Sequence, residues 1–122
     1  MPLRATLAVA FLAVVAAAPA SAQRIDYVQR AQDLETLSRA FGELHLIRRM
    51  CEPRRESEVW RNRMRQLVEL EQPQPALRDR MVAAFNAGFR GAEERFAYCD
   101  EDARDFAAAS AAEADAVVNR LM

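Results

Sequence analysis

The sequence has no lysine, a single histidine, two cysteines and three glycines. Without lysine there is no Schiff-base catalysis. The same absence, beside so much alanine, also fits a genomic base-composition bias. One histidine and two cysteines cannot complete an ordinary structural zinc site. No Cys-x-x-Cys pair exists for redox work, and no Cys-x-x-Cys-His run for covalent haem. The five methionines form no Met-x-x-Met or Met-x-Met cluster of the copper-binding kind. No glycine-rich phosphate loop or EF-hand loop appears, and no serine carries the flanking glycines of a nucleophile elbow. No cofactor is expected. β-Branched residues are few, and no stretch beyond the first 22 residues alternates as a half-buried strand does. Alanine, leucine, arginine, glutamate and glutamine dominate, all good helix formers. The fold class is therefore all-α.

The opening residues read as an export signal. Met1 to Arg4 carries one positive charge, and Ala5 to Ala18 is an apolar run of 14 residues. That run is short of the ~20 residues of a membrane span and within the ~7–15 of a signal core. Pro19 breaks it, and Ala20-Ser21-Ala22 supplies the small residues of a peptidase site. Cleavage is expected after Ala22, giving a signal peptide over 1–22 and a single helical domain over 23–122. No twin arginine precedes the run and no cysteine follows it, so neither a folded-protein export route nor a lipoprotein is indicated. The expected location is the periplasm, with no transmembrane helix after cleavage. The mature chain would carry 16 arginines against 18 acidic residues, a net charge of −2. Nucleic acid is a poor partner for that balance.

Four helices are expected. The first runs from about Asp26 to Cys51, with Leu34, Leu37, Phe41 and Leu44 as one apolar stripe. Arg30 and Arg48 fall near the centre of that stripe, so each needs a helix end or a partner. Gly42 lies inside the helix at a cost of about 1 kcal/mol relative to alanine; close packing and neutral drift both account for it. Ser57 is the expected N-cap of the second helix, which runs to about Glu71 with Trp60, Met64, Leu67 and Val68 inward. Pro75 suits the first position of the third, which is expected to reach Cys99 along Met81, Phe85, Gly88, Phe89, Ala92 and Phe96. Asp100 caps the fourth, whose thin inner face is Ala103, Phe106, Ala107, Ser110, Ala114, Val117 and Leu121. Short connections predict an up-down-up-down bundle. In it, Cys51 and Cys99 fall at one end, where an oxidising compartment would join them. Closing so long a loop is worth about 4 kcal/mol in the chain-entropy view.

Charge is unevenly placed. Residues 48–65 hold seven arginines against three glutamates, and residues 93–115 hold eight acids against two arginines. The bridge would bring Arg48, Arg49, Arg54 and Arg55 near Asp100, Glu101 and Asp102, so mutual neutralisation across the bundle end is the leading expectation. An open anion-binding patch is the alternative. His45, at the edge of the first stripe, is expected at the core boundary with one nitrogen bonded and the other wet. The sharper reading makes it a ligand or general base. Tyr98 is expected to pack beside the bridge.

Four segments carry a family resemblance: Gly42 to Cys51 (GELHLIRRMC), Trp60 to Met64 (WRNRM), Phe85 to Gly91 (FNAGFRG) and Tyr98-Cys99. Together they resemble a family of short exported proteins of unknown function from alphaproteobacteria. The resemblance implies a signal peptide, a paired cysteine and no assigned activity. Thr-Pro commonly follows the second cysteine in that family, whereas Asp100-Glu101 follows it here. The functional expectation is a non-enzymatic periplasmic domain that binds a protein or envelope component. Its surface would be the flank of Asn86, Arg90 and Gly91 together with the arginine-rich end near Arg48. The alternatives are a small-molecule binder using His45 and Arg48 as polar handles and, third, a small hydrolase.

Overall fold

The structure is a computed structural model that describes residues 13–16 and 20–122, with side chains inside the first helix from residue 26 onward. Most of the expected signal, residues 1–12 and 17–19, lies outside the described residues. Four helices follow: α1 (Ala20–Cys51), α2 (Val59–Glu71), α3 (Pro75–Arg95) and α4 (Glu101–Leu121). No helix among the described residues is long and apolar enough to cross a membrane.

Side-chain pairs give the direction of each helix relative to α1. Glu35 meets Arg80, His45 meets Phe89 and Cys51 meets Cys99, so α3 runs parallel to α1. Arg30 meets Glu71 and Phe41 meets Trp60, so α2 runs antiparallel. Asp33 meets Arg120 and Glu43 meets Ser110, which sets α4 antiparallel as well. The up-down-up-down topology holds.

The packing is more centred than a single stripe on α1 predicts. Helix α1 packs against all three others, most extensively against α3, while the outer helices barely meet one another. Its buried positions run nearly all round. Leu37, Leu44 and Ile47 are among the most deeply buried side chains, and Asp33, Ser38 and His45 are buried polar ones. Each fully buried Leu or Ile is worth about 1.5–3 kcal/mol. The polar ones need partners. Ser38 donates to the Leu34 carbonyl at 2.7 Å. Asp33 accepts from Arg120 at 2.9 Å and from Gln29 at 3.2 Å.

Two glycines decide the α1–α3 contact. A Cβ on Gly42 would overlap the Phe85 carbonyl, and one on Gly88 would overlap the Arg39 carbonyl. The backbones therefore touch, which settles the reading of Gly42 in favour of close packing. Gly91 has nothing near its missing Cβ.

Several helix ends depart from expectation. Helix α1 opens at Ala20, ahead of Asp26. Ser57 does not cap α2; Glu58 holds that position and makes no side-chain cap bond. Helix α3 ends at Arg95 because Phe96 turns extended and buries its ring 5.3 Å from that of Phe106. Cys99 thus lies beyond α3, and the extended link carries it to Cys51. Tyr98, expected beside the bridge, is 69% exposed. The local signals at Pro75 and Asp100 hold: Pro75 opens α3, and Asp100 accepts from the Ala103 N–H at 2.8 Å.

Candidate functional site

The end of the bundle that carries the disulfide gathers most of the chemistry. Cys51, the last residue of α1, is bonded to Cys99, and this fixes the α1–α2 connection against the start of α4. Arg48 lies one turn before Cys51. Its Nε donates to Glu56 in the connection at 2.6 Å. That pair lines a groove between α2 and α4, together with Leu44 of α1, Trp60, Arg104, Ala107, Ala108 and Ala111. The groove measures about 250 Å³.

The expected neutralisation across this end does not occur. No ion pair among the described residues joins the arginine-rich segment to Asp100, Glu101 or Asp102. Asp100 is committed to capping α4, and Arg48 finds Glu56 eight residues along its own chain. Arg49, Arg54, Arg55, Arg61, Arg63 and Arg65 are all exposed. None of the six makes an ion pair among the described residues. Arg63 lies over the Trp60 ring at 4.4 Å, a cation–π contact that leaves its charge in water. Glu52 and Glu58 are the only acids left in the segment, so a cationic face remains.

His45 sits on the other side of α1, between α2 and α3. It is 5% exposed, not at the boundary, and its ring packs 5.8 Å from Phe85 and 5.5 Å from Phe89. Its Nδ1 is buried without a hydrogen-bond partner. Burial pushes the imidazole below its ordinary range; Glu58 pulls upward, and Arg49 and Arg61 push further down. Among the described residues no acid or nucleophile is hydrogen-bonded to its Nδ1. Asn86, Arg90 and Gly91 are exposed on α3, beside the two phenylalanines that cover His45. The sequence-based candidates therefore separate: Arg48 lies in the α2–α4 groove, His45 beneath the α2–α3 side, and Asn86, Arg90 and Gly91 outside it.

Sequence reasoning missed one feature. Trp60 Nε1 is also buried without an acceptor. The position of Trp60 on the inner face of α2 is legible in the sequence, but the burial of its indole N–H is not; its ring lies 5.8 Å from that of Phe41. No group of three potential metal-ligating side chains occurs among the described residues.

A family described as "Protein of unknown function (DUF2385)" matches residues 30–122. All four segments that carry the resemblance lie within that span. No curated protein and no solved structure matches the chain.

Proposed function

The chain belongs to the DUF2385 family of proteins of unknown function, and from that premise we propose that it is an exported, non-catalytic binding domain for the anionic surface of the cell envelope. The observation that carries this reading is the set of six exposed arginines between residues 49 and 65, none of them in an ion pair among the described residues and only Glu52 and Glu58 set against them. Asn86, Arg90 and Gly91 extend the docking face onto α3. His45 lies beneath it, and Arg48 marks its edge toward the groove.

The chemistry of the face favours a charged surface over a protein partner. Protein interfaces are organised around a buried apolar or aromatic centre. Here the exposed residues of α2 up to Gln66 are Arg61, Asn62, Arg63 and Arg65 with Gln66 itself, and Leu70 stands at the far end of the helix. Guanidinium groups match phosphate oxygens in a bidentate geometry. Each basic residue near an anionic membrane is worth about 1 kcal/mol, so the net charge of the face supports weak, reversible, salt-sensitive attachment. The disulfide and the expected signal both agree with an oxidising compartment.

Co-sedimentation with vesicles tests the proposal. The protein should pellet with phosphatidylglycerol vesicles and not with phosphatidylcholine alone, and raised salt should release it. Arg61→Glu with Arg65→Glu should abolish pelleting, and Arg90→Ala should weaken it without loss of helix content. Equal binding to both vesicle types, or full binding by the double variant, would overturn it.

A further inference from the structure

We propose that the groove between α2 and α3 holds one molecule of an anionic phospholipid, its acyl chain against the apolar lining and its phosphate between Arg65 and Arg78. This rests on the cationic-face reading and names the molecule that the face takes up. The groove exists because α2 and α3 each pack on α1 and barely meet one another. Met64, Val68 and Val82 supply its apolar lining, and Arg65, Glu69 and Arg78 its charges, a net +1. It measures about 260 Å³.

Three observations converge on that occupant. The first is apolar surface left in water. Met64 is a buried core residue, Val68 packs against the same cluster, and Val82 on the facing helix is 44% exposed. Covering such surface is favourable. The second is charge. Arg65 and Arg78, one from each helix, are exposed, and neither makes an ion pair or a side-chain hydrogen bond among the described residues. Glu69, one turn beyond Arg65, is in no ion pair there either, so an incoming phosphate has none to break. Guanidinium groups match phosphate oxygens in a bidentate geometry. The third is continuity. Arg61 stands one turn before Arg65 on α2, and Val82 one turn before Asn86 on α3, so the groove runs on from the proposed docking face. Only an amphiphile with an anionic head answers all three. A free phosphate leaves the valines uncovered, and a neutral acyl chain leaves both arginines unanswered. Binding of this kind sums apolar burial and electrostatic attraction.

The depression lined by Tyr27, Arg30 and Leu77, among others, makes a useful contrast. Arg30 there is satisfied by both oxygens of Glu71 and by the Leu121 carbonyl. Its cation is already answered, and it carries no comparable case.

An NMR titration of the intact protein with dihexanoyl phosphatidylglycerol, kept below its micelle limit, makes the test. The Val68 and Val82 methyl signals and the Arg78 guanidinium signal should shift together and saturate at one lipid per chain. The dibutanoyl homologue should bind about tenfold more weakly, because the chain in the groove loses two buried methylenes. Arg78→Gln should cost about tenfold in affinity. Glycerol phosphate, a head without a tail, should leave the methyl signals unmoved. Val82→Asp, at an exposed position, should abolish saturable binding while helix content and pelleting with phosphatidylglycerol vesicles are retained. No saturable methyl shift, equal binding of the two chain lengths, equal binding of dihexanoyl phosphatidylcholine, or wild-type affinity in Val82→Asp would each overturn the site. So would a lipid-free dimer in analytical ultracentrifugation that Val82→Asp dissolves, because a second copy would then fill the groove. The two readings fail separately. Vesicle pelleting without saturable binding of the dispersed lipid removes the groove site alone, and saturable binding without pelleting removes the cationic face alone.

Discussion

His45 and Trp60 each hold a buried ring nitrogen without a partner, and the two have different consequences. Trp60 keeps its proton at every relevant pH. His45 titrates. Burial between Phe85 and Phe89 favours its neutral form, so its folded pKa lies below the ordinary 6.5. The unfolded chain then binds the proton more readily. Stability is full above the unfolded pKa and falls as pH drops through 6.5 toward the folded value. Urea unfolding of the wild type from pH 8 to pH 5 should show this loss, and His45→Phe should flatten it. Asp33 acts in a lower window. The Arg120 hydrogen bonds hold its carboxyl below the usual 3.8, so its contribution is present above that value and disappears only as pH falls below it. The two residues are therefore separable by pH alone.

At the scale of elements, the α1–α3 contact rests on Gly42 and Gly88, and the third glycine supplies the control. Gly42→Ala gains about 1 kcal/mol of helix propensity but drives a methyl into the Phe85 carbonyl. A backbone atom cannot rotate away, so the helices must separate. The net effect should be a loss of about 1–3 kcal/mol. Gly91→Ala faces open space and should gain up to about 1 kcal/mol. Thermal unfolding of the two variants should move in opposite directions. Helix ends show the same division between local and distant causes. Asp100 and Pro75 were readable because a cap or a ring acts on its own turn. The end of α3 was not, because Phe96 leaves the helix to reach Phe106 on another element. Ser57 does not cap α2 because the helix opens one residue later, with Glu58 at the cap position.

At the scale of the molecule, one central helix carries three others that scarcely touch. Two apolar clusters, one around Leu37 and Met81 and the other around Ile47 and Phe96, share α1 and meet at Trp60. Such an arrangement leaves grooves between the outer helices, and the disulfide is the covalent tie across one end. Replacing both cysteines by alanine should lower stability by about 4 kcal/mol in urea unfolding, a large part of the ~5–15 kcal/mol of a typical domain. The loss should fall first on the approach of α4 to α1, whose inner face is mostly alanine and buries little area per residue. Proteolysis of the variant under native conditions should accordingly cut near Tyr98 before it cuts within α1.

The residues themselves determined the helical class, the number and order of the helices, the pairing of Cys51 with Cys99 and the inner face of α4. Each follows from local propensity, from periodicity or from the fact that two cysteines in an up-down-up-down bundle fall at the same end. The tertiary structure decided what depends on neighbours distant in sequence. The stripe on α1 is too narrow because Asp33 and Ser38 are buried with hydrogen-bond partners, Gly42 against the α3 backbone and His45 against Phe85 and Phe89. Apart from Arg48, the arginine segment makes no ion pair among the described residues, and Asp100, one of its expected acids, caps α4 instead. A charge pattern read along the chain gives the sum of charges; only the folded arrangement decides which of them meet, because an ion pair is fixed by a few ångströms and not by sequence distance.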